Sequence, residues 1–382
     1  MEVALGMMIA ERFKALRERR NLTQDAVAAH LGLKDRQSIT QIEVGKRSLS
    51  PHELMSAAAL FGVDLEQFTN PFLLPAGARF SWRQKDVGTT ELRAFQERAG
   101  EWLGAHRELG RRMGTPARAL MPRLALTYGS SHEEAAAAGE RVAEELGLGV
   151  VPSKRLAQVM EAELGILVLM VDAIEGVSGA ACTLPGLDAV LVNRKDAAPR
   201  RNFDLAHELF HLLTWDTMPP EWADGEVRGD TGKAATQATR IARIERLADK
   251  FASALLMPSV ALDGLGTPPA NDMPRWLVAG ATKLGVSGST LKWQLVNTGR
   301  IAKSFGAIPD AELRNSRTRQ NQQPTLFGRR FMTRIAEGIA EGHISSRRAA
   351  ALAGVTVEEL GELCMAHSVA LPVELGGKPK YG

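Results

Sequence analysis

Disulfide chemistry is the first thing this sequence lacks. The 382 residues include two cysteines, Cys182 and Cys364, too few for a disulfide framework and in keeping with a reducing compartment. Long hydrophobic runs are missing too, since none reaches the roughly 18 to 20 residues a membrane helix needs. The opening MEVALGMMIAERFKALRERR has neither the apolar stretch nor the cleavage site of a secretory signal. The expectation is a cytoplasmic protein with no membrane partner. Charge of one sign is also scarce: 47 Lys and Arg face 44 Asp and Glu, a net +3. That balance does not indicate a nucleic-acid partner, so charge has to be read locally. Aromatics are 5% of the chain, with two tyrosines. What remains is an ordinary globular composition, 45% apolar and 24% charged, long enough for two or three cores.

Residues 9–68 read as a compact set of short helices, followed by Pro71, Pro75, Gly77 and Gly88 in a stretch of extended composition. Helix is expected at 90–109, then a Pro- and Gly-interrupted connector to 131. Helices follow at 131–146 and 153–164. The period then changes: 166–171, 177–183 and 189–192 are short apolar runs separated by Gly and Pro, read as three strands of a small antiparallel sheet. Strong helical patterns occupy 200–214 and 236–256, the second stopped by Met257-Pro258. Two amphipathic helices flank Gly285-Val286-Ser287, residues 304–326 read as a polar linker, and 329–367 returns to helix. The fold class expected is mostly α with a small antiparallel β-sheet (α+β). The expected domains are 1–70, a helical linker at 71–130, 131–305, and a linker with a C-terminal helical tail at 306–382.

His207-Glu208-Leu209-Phe210-His211 is the sharpest chemical signal. Two His at i and i+4 share one helix face, so both rings can reach one cation. Zinc suits neutral nitrogen and carboxylate ligands in a tetrahedron. Glu208 lies beside them, able to take a proton from a metal-activated water without being a ligand. On a second helix, Glu245 and Asp249 stand at i and i+4. This is the arrangement gluzincins use, with the Glu as third ligand and the Asp orienting a ligand His through its other ring nitrogen.

The run Arg201-Asn202-Phe203-Asp204-Leu205-Ala206-His207-Glu208-Leu209-Phe210-His211-Leu212-Leu213 resembles the active-site helix of the ImmA/IrrE metallopeptidases. ERLADKFASALLMP, from Glu245 to Pro258, resembles that family's second signature, and Val190-Leu191-Val192-Asn193 its segment before the active-site helix. The resemblance spans about residues 135 to 305. Phe210 stands where the family often has Gly, and Asp204 where it often has Thr or Ser. The resemblance implies a zincin-like peptidase domain holding Zn2+ (with Mn2+ able to serve in vitro) through His207, His211 and Glu245. It further implies Glu208 as catalytic base, Asp249 behind a ligand ring, and peptide-bond hydrolysis. Zincins usually add a His, Tyr or Arg for the oxyanion; Tyr128, Tyr381 and His132 are poor candidates. The strand at 189–193, if at a sheet edge, is expected to hold substrate by strand addition.

A second signal lies at residues 11–61. Thr23 is a natural N-cap for the helix that follows, and Leu31-Gly32-Leu33 makes a turn. In Arg36-Gln37-Ser38-Ile39-Thr40-Gln41-Ile42-Glu43 the two Ile face inward. Arg36, Gln37, Thr40 and Gln41 are left outward, as a helix entering the major groove requires. This stretch resembles the Cro/repressor-type (XRE) helix-turn-helix, including Thr-Gln at one helix start and Ile-Glu-x-Gly-Lys-Arg at the end. The resemblance implies an Arg17–Glu43 pair, base reading by Gln37 and Gln41, and a phosphate contact from Gln24. Arg36, Ser38, Thr40, Lys46 and Arg47 complete the expected DNA-binding set. Residues 284–291 and 353–360 echo the turn rhythm and are read as packing helices.

Together these readings give a DNA-binding regulatory peptidase. It would cleave a repressor, an antitoxin or itself in a stress or DNA-damage response. Double-stranded operator DNA is the expected partner, single-stranded DNA a possible activator, and a homodimer a possible assembly. The competing reading is a non-proteolytic XRE regulator or antitoxin whose zincin fold acts as a sensor.

Overall fold

The computed structural model describes residues 2–74, 79–115, 123–220, 231–269, 271–314 and 323–370. In chain order the elements are α1 (Glu2–Arg19), α2 (Gln24–His30), α3 (Arg36–Glu43), α4 (Pro51–Phe61), α5 (Glu66–Thr69), β1 (Arg79–Gln84), α6 (Thr89–Arg112), α7 (His132–Glu145), α8 (Leu156–Ala162), β2 (Leu167–Val171), β3 (Val177–Leu184) and β4 (Leu187–Asn193). They continue with α9 (Ala198–Leu213), α10 (Thr231–Leu256), α11 (Ser259–Asp263), α12 (Met273–Leu284), α13 (Gly288–Asn297), α14 (Arg329–Ala340), α15 (Ser346–Ala353) and α16 (Val357–Ala366). The protein is mostly helical with one small sheet. Two compact units emerge, one of residues 1–78 and 96–115, the other of 79–95 and 116–382.

The first unit is a bundle of short, well-capped helices. Thr23 accepts from the Ala26 N–H, Asp35 from Ser38, and Ser50 forms a reciprocal capping box with Glu53. Each such cap satisfies amides that the first turn leaves unpaired and contributes about 1 kcal/mol. Phe13, Val27, Ile39, Ile42, Phe61 and Phe68 form the core, with Phe13 and Phe61 edge-to-face at 5.4 Å.

In the second unit the sheet has the order β1-β3-β4-β2. It departs from the expected antiparallel sheet in two ways. First, β2 and β4 run parallel, because the connection between them passes through β3. Second, a fourth strand, β1, pairs antiparallel with β3; its sequence lies within the stretch read as a helical linker. β4 is therefore internal, hydrogen-bonded to β3 and β2. The expectation that 189–193 could add a substrate strand is corrected: both its edges are already paired. The outer edge of β2 is met by the Phe327 N–H, which bonds Met170 O at 2.6 Å.

α9 begins with Pro199 at its first turn, where the missing N–H costs nothing. It packs on β3 and β4, burying Leu205, Leu209, Phe210, Leu212 and Leu213. A helix apolar on nearly every side is one enclosed by its neighbours. α10 covers it and is itself backed by α7. Gly139 lets that last pair approach: a Cβ there would lie 2.3 Å from Phe251 O.

Candidate metal centre and DNA-reading face

Within this apolar shell, His207 and Glu208 are fully buried and His211 is 5% exposed. Polar side chains so placed are costly unless something pairs with them. The helical spacing of four brings the two rings together, with His207 Nε2 and His211 Nε2 3.1 Å apart. From α10, Glu245 reaches both: its oxygens lie 3.2 Å from His207 Nε2 and 3.4 Å from His211 Nε2. Three donor atoms from two helices thus converge and can hold one metal ion.

On the other side of its ring, His207 Nδ1 stands 3.0 Å from Asp249 Oδ1. A carboxylate only accepts, so Nδ1 carries a proton toward Asp249 and Nε2 is the nitrogen that faces the cluster. Burial opposes a charge on His207, but the bonds to Asp249 and Glu245 outweigh it and push its pKa up to about 9. Burial pulls His211 below the usual His value despite Glu245. Burial also acts to raise Glu245, yet its two ring partners hold it well below the carboxylate range. Glu208 has no such support. Burial, with Glu245 and Asp204 nearby, lifts it to about 8, and both its oxygens are buried without a hydrogen-bond partner.

The donor set passes a chemical test for zinc. Two imidazoles and one carboxylate form an N2O set with room in the coordination sphere for a further ligand. Glu208 stands beside this set with neither carboxylate oxygen tied to another side chain. β3 makes room for this carboxylate by having no side chain at Gly179, where a Cβ would sit 3.3 Å from Glu208 Oε1. Near the start of α9, a cavity of about 980 Å³ is lined in part by Arg200, Phe203 and residues 285–290.

Arg83 had no place in the sequence reading, and Asp204 entered it only as a departure from the family's pattern. Arg83 of β1 lies 3.3 Å from Asp204 Oδ1 and 3.3 Å from Asp249 Oδ1. Asp204, fully buried, also binds Arg200 at 3.0 Å. The signal for Arg83 was the period-2 alternation Phe80-Ser81-Trp82-Arg83. The oxyanion candidates fare differently. His132 Nε2 is 3.1 Å from Arg243, Tyr128 lies under the Arg240 guanidinium, and Tyr381 falls outside the described residues.

In the first unit, Ile39 and Ile42 point into the core and Arg36, Gln37, Thr40, Gln41 and Lys46 are exposed. Ser38 is half-buried, with its hydroxyl on Asp35, and Arg47 pairs with Glu53 at 2.6 Å. Gln24 donates to Glu43 at 2.8 Å and accepts from Thr40. Glu43 also takes Arg17 Nε at 2.5 Å, so the implied Arg17–Glu43 pair is present and Gln24 is drawn into it.

The fold and site define a metallopeptidase-type domain behind a helix-turn-helix. Residues 13–68 match the helix-turn-helix family of the XRE type, and residues 162–291 match the IrrE N-terminal-like domain. The chain thus has the architecture of the ImmA/IrrE proteins that carry an XRE helix-turn-helix: a DNA-binding regulator with a peptidase-like domain. No curated protein matches the chain. Among the described residues no helix is long and apolar enough to cross a membrane.

Proposed function

We propose that the protein is a cytoplasmic, DNA-binding zinc metallopeptidase that cleaves a transcriptional repressor, an antitoxin or itself in a stress response. The observation that carries this reading is the convergence of His207, His211 and Glu245 beside the unpartnered carboxylate of Glu208. A sensor domain needs a metal site but has no use for a buried, unpaired Glu next to it.

In this reading His207, His211 and Glu245 hold the ion, and Asp249 fixes the His207 tautomer. Zinc, or manganese in vitro, supplies the Lewis acidity that polarises the scissile carbonyl and acidifies water. Glu208 accepts the proton of the attacking water and returns it to the departing amine, so that water adds across the C–N bond. Its burial suits a base that must both take and release a proton near neutral pH. Gln37, Gln41 and Arg36 face base edges from the exposed face of α3 while Gln24 and Lys46 contact phosphate. Its DNA partner is a double-stranded operator.

The test is incubation of the full chain with zinc or manganese, with and without double- or single-stranded DNA, followed by intact-mass analysis of the chain and of candidate repressors and antitoxins. Metal-dependent fragments absent with Glu208→Gln support the reading. Binding of DNA and metal with no cleavage of any of them under any of these conditions favours the sensor instead.

A further inference from the structure

The metal-ligand set is split between two helices, and the contact that braces them comes from a third element. α9 supplies His207 and His211, and α10 supplies Glu245. Arg83 lies on β1, directly opposite Gly179 of β3 in the antiparallel register. Residues facing each other across a sheet share one face, and Gly179 is the residue against Glu208. The Arg83 side chain therefore emerges on the α9 side. There its Nε approaches Asp204 of α9 and its Nη2 approaches Asp249 of α10, each at 3.3 Å. The guanidinium also lies 5.2 Å from the centre of the Phe203 ring, the kind of cation–π contact that fixes its plane.

The atom Arg83 grips on α10 is Asp249 Oδ1, the same oxygen that meets His207 Nδ1 at 3.0 Å. The Asp249 side chain is 48% exposed, whereas that of Arg83 is 16% exposed. A half-exposed carboxylate has other rotamers available in water. A nearly buried guanidinium fork, anchored on a fully buried Asp204, removes that freedom.

We propose that Arg83 is a positioning residue of the metal centre. It pins Asp249 against His207 and ties α9 to α10, so that strand β1, outside the 162–291 family match, completes the site. This rests on the metal-site reading above. A rival account gives Arg83 only its charge, and the two accounts predict opposite signs. As a bare cation, Arg83 repels a divalent ion and its loss tightens binding. As a brace, its loss loosens the ligands and weakens binding.

The experiment is zinc affinity of the full-length protein by competition with a chromophoric chelator, together with the visible spectrum of the cobalt(II)-loaded form. It compares wild type, Arg83→Met, Arg83→Lys, Asp249→Ala, the Arg83→Met/Asp249→Ala double variant and Glu245→Gln. Arg83→Met is expected to weaken zinc binding about 10- to 100-fold, the usual effect of removing an outer support of a ligand, and to alter the cobalt spectrum. Arg83→Lys, a point charge without the fork, is expected to fall short of wild type. Adding Arg83→Met to Asp249→Ala should cost little more, because both remove one support. Wild-type affinity in Arg83→Lys, tighter binding in Arg83→Met, or fully additive losses would each overturn the proposal. If Arg83→Met does not fold, Arg83→Lys and its cobalt spectrum decide. Failure of the metal-site reading looks different: wild type takes up no zinc, or Glu245→Gln binds it as wild type does.

Discussion

His207 Nε2 and His211 Nε2 face each other at 3.1 Å, with the Glu245 carboxylate within 3.4 Å of both. Lone pairs gathered this closely need positive charge between them. Without a divalent ion the cluster holds a proton on His207, which is why that ring stays protonated up to about pH 9.

Loss of one ligand should therefore separate metal from fold. His211→Ala and Glu245→Gln are expected to lower zinc stoichiometry, measured by elemental analysis after dialysis, from one per chain toward zero. Glu208→Gln is expected to keep its zinc and lose turnover by at least a hundredfold, the scale of a lost general base. Zinc loss in Glu208→Gln would move that residue into the ligand set.

The proton on His207 also sets a pH dependence. A ligating His must be neutral, and its proton is held up to about pH 9, so metal competes with a proton below that value. Zinc affinity is expected to rise about tenfold per pH unit between 6.5 and 9. Stability of the metal-free protein runs the other way. The folded pKa of His207 lies above the unfolded 6.5, so its contribution is complete below 6.5 and lost as pH rises through about 9. Glu208, raised from 4.5 to about 8, has the same sign, its ionisation penalising the folded state as pH climbs. The melting temperature of the metal-free form should fall from pH 6 to 9, and less steeply in Glu208→Gln. A flat profile would contradict both assignments.

Gly179 gives a test of Glu208 placement without touching a ligand. A Cβ at 179 would lie 3.1 Å from Leu191 O and 3.3 Å from Glu208 Oε1, and a Val would intrude further. Gly179→Val is expected to retain zinc while turnover drops about tenfold or more, since shifts of about 1 Å in a catalytic group carry penalties up to 100-fold. Unchanged turnover would mean that the carboxylate has slack.

In the helix-turn-helix, a buried framework is distinct from the exposed face of α3. Arg17 and Glu43 have side chains only 12% and 5% exposed. Arg17→Ala should destabilise the first unit by about 1 to 3 kcal/mol, because a buried carboxylate loses its strongest donor. Gln37→Ala and Gln41→Ala should leave stability unchanged and each cost about 1 to 3 kcal/mol in specific DNA binding. Lys46→Ala should weaken all sequences alike and reduce the salt slope by about one. Fluorescence anisotropy across a salt series distinguishes these outcomes.

The site was legible where its chemistry is local in sequence. A spacing of four on a helix fixes which side chains share a face, so His207 with His211, and Glu245 with Asp249, could be paired before any coordinates. Caps such as Thr23 and the core positions Ile39 and Ile42 follow from the same local rules. What the sequence hid was long-range. Arg83 meets Asp204 and Asp249 across more than a hundred residues of chain, through a strand pairing that no local pattern specifies. The parallel pairing of β2 with β4 was hidden likewise: three short apolar runs do not reveal the order in which they pair, and that order put β4 inside the sheet. The bond from Gln24 to Glu43 was hidden for the same reason, because it depends on where α3 lies.

The most direct measurement is X-ray absorption at the zinc edge on the purified, zinc-loaded full chain. The account predicts a first shell of nitrogen and oxygen only, at about 2.0 to 2.1 Å, with the signature of two imidazoles. A shell containing sulfur, or one with fewer than two imidazoles, would contradict it.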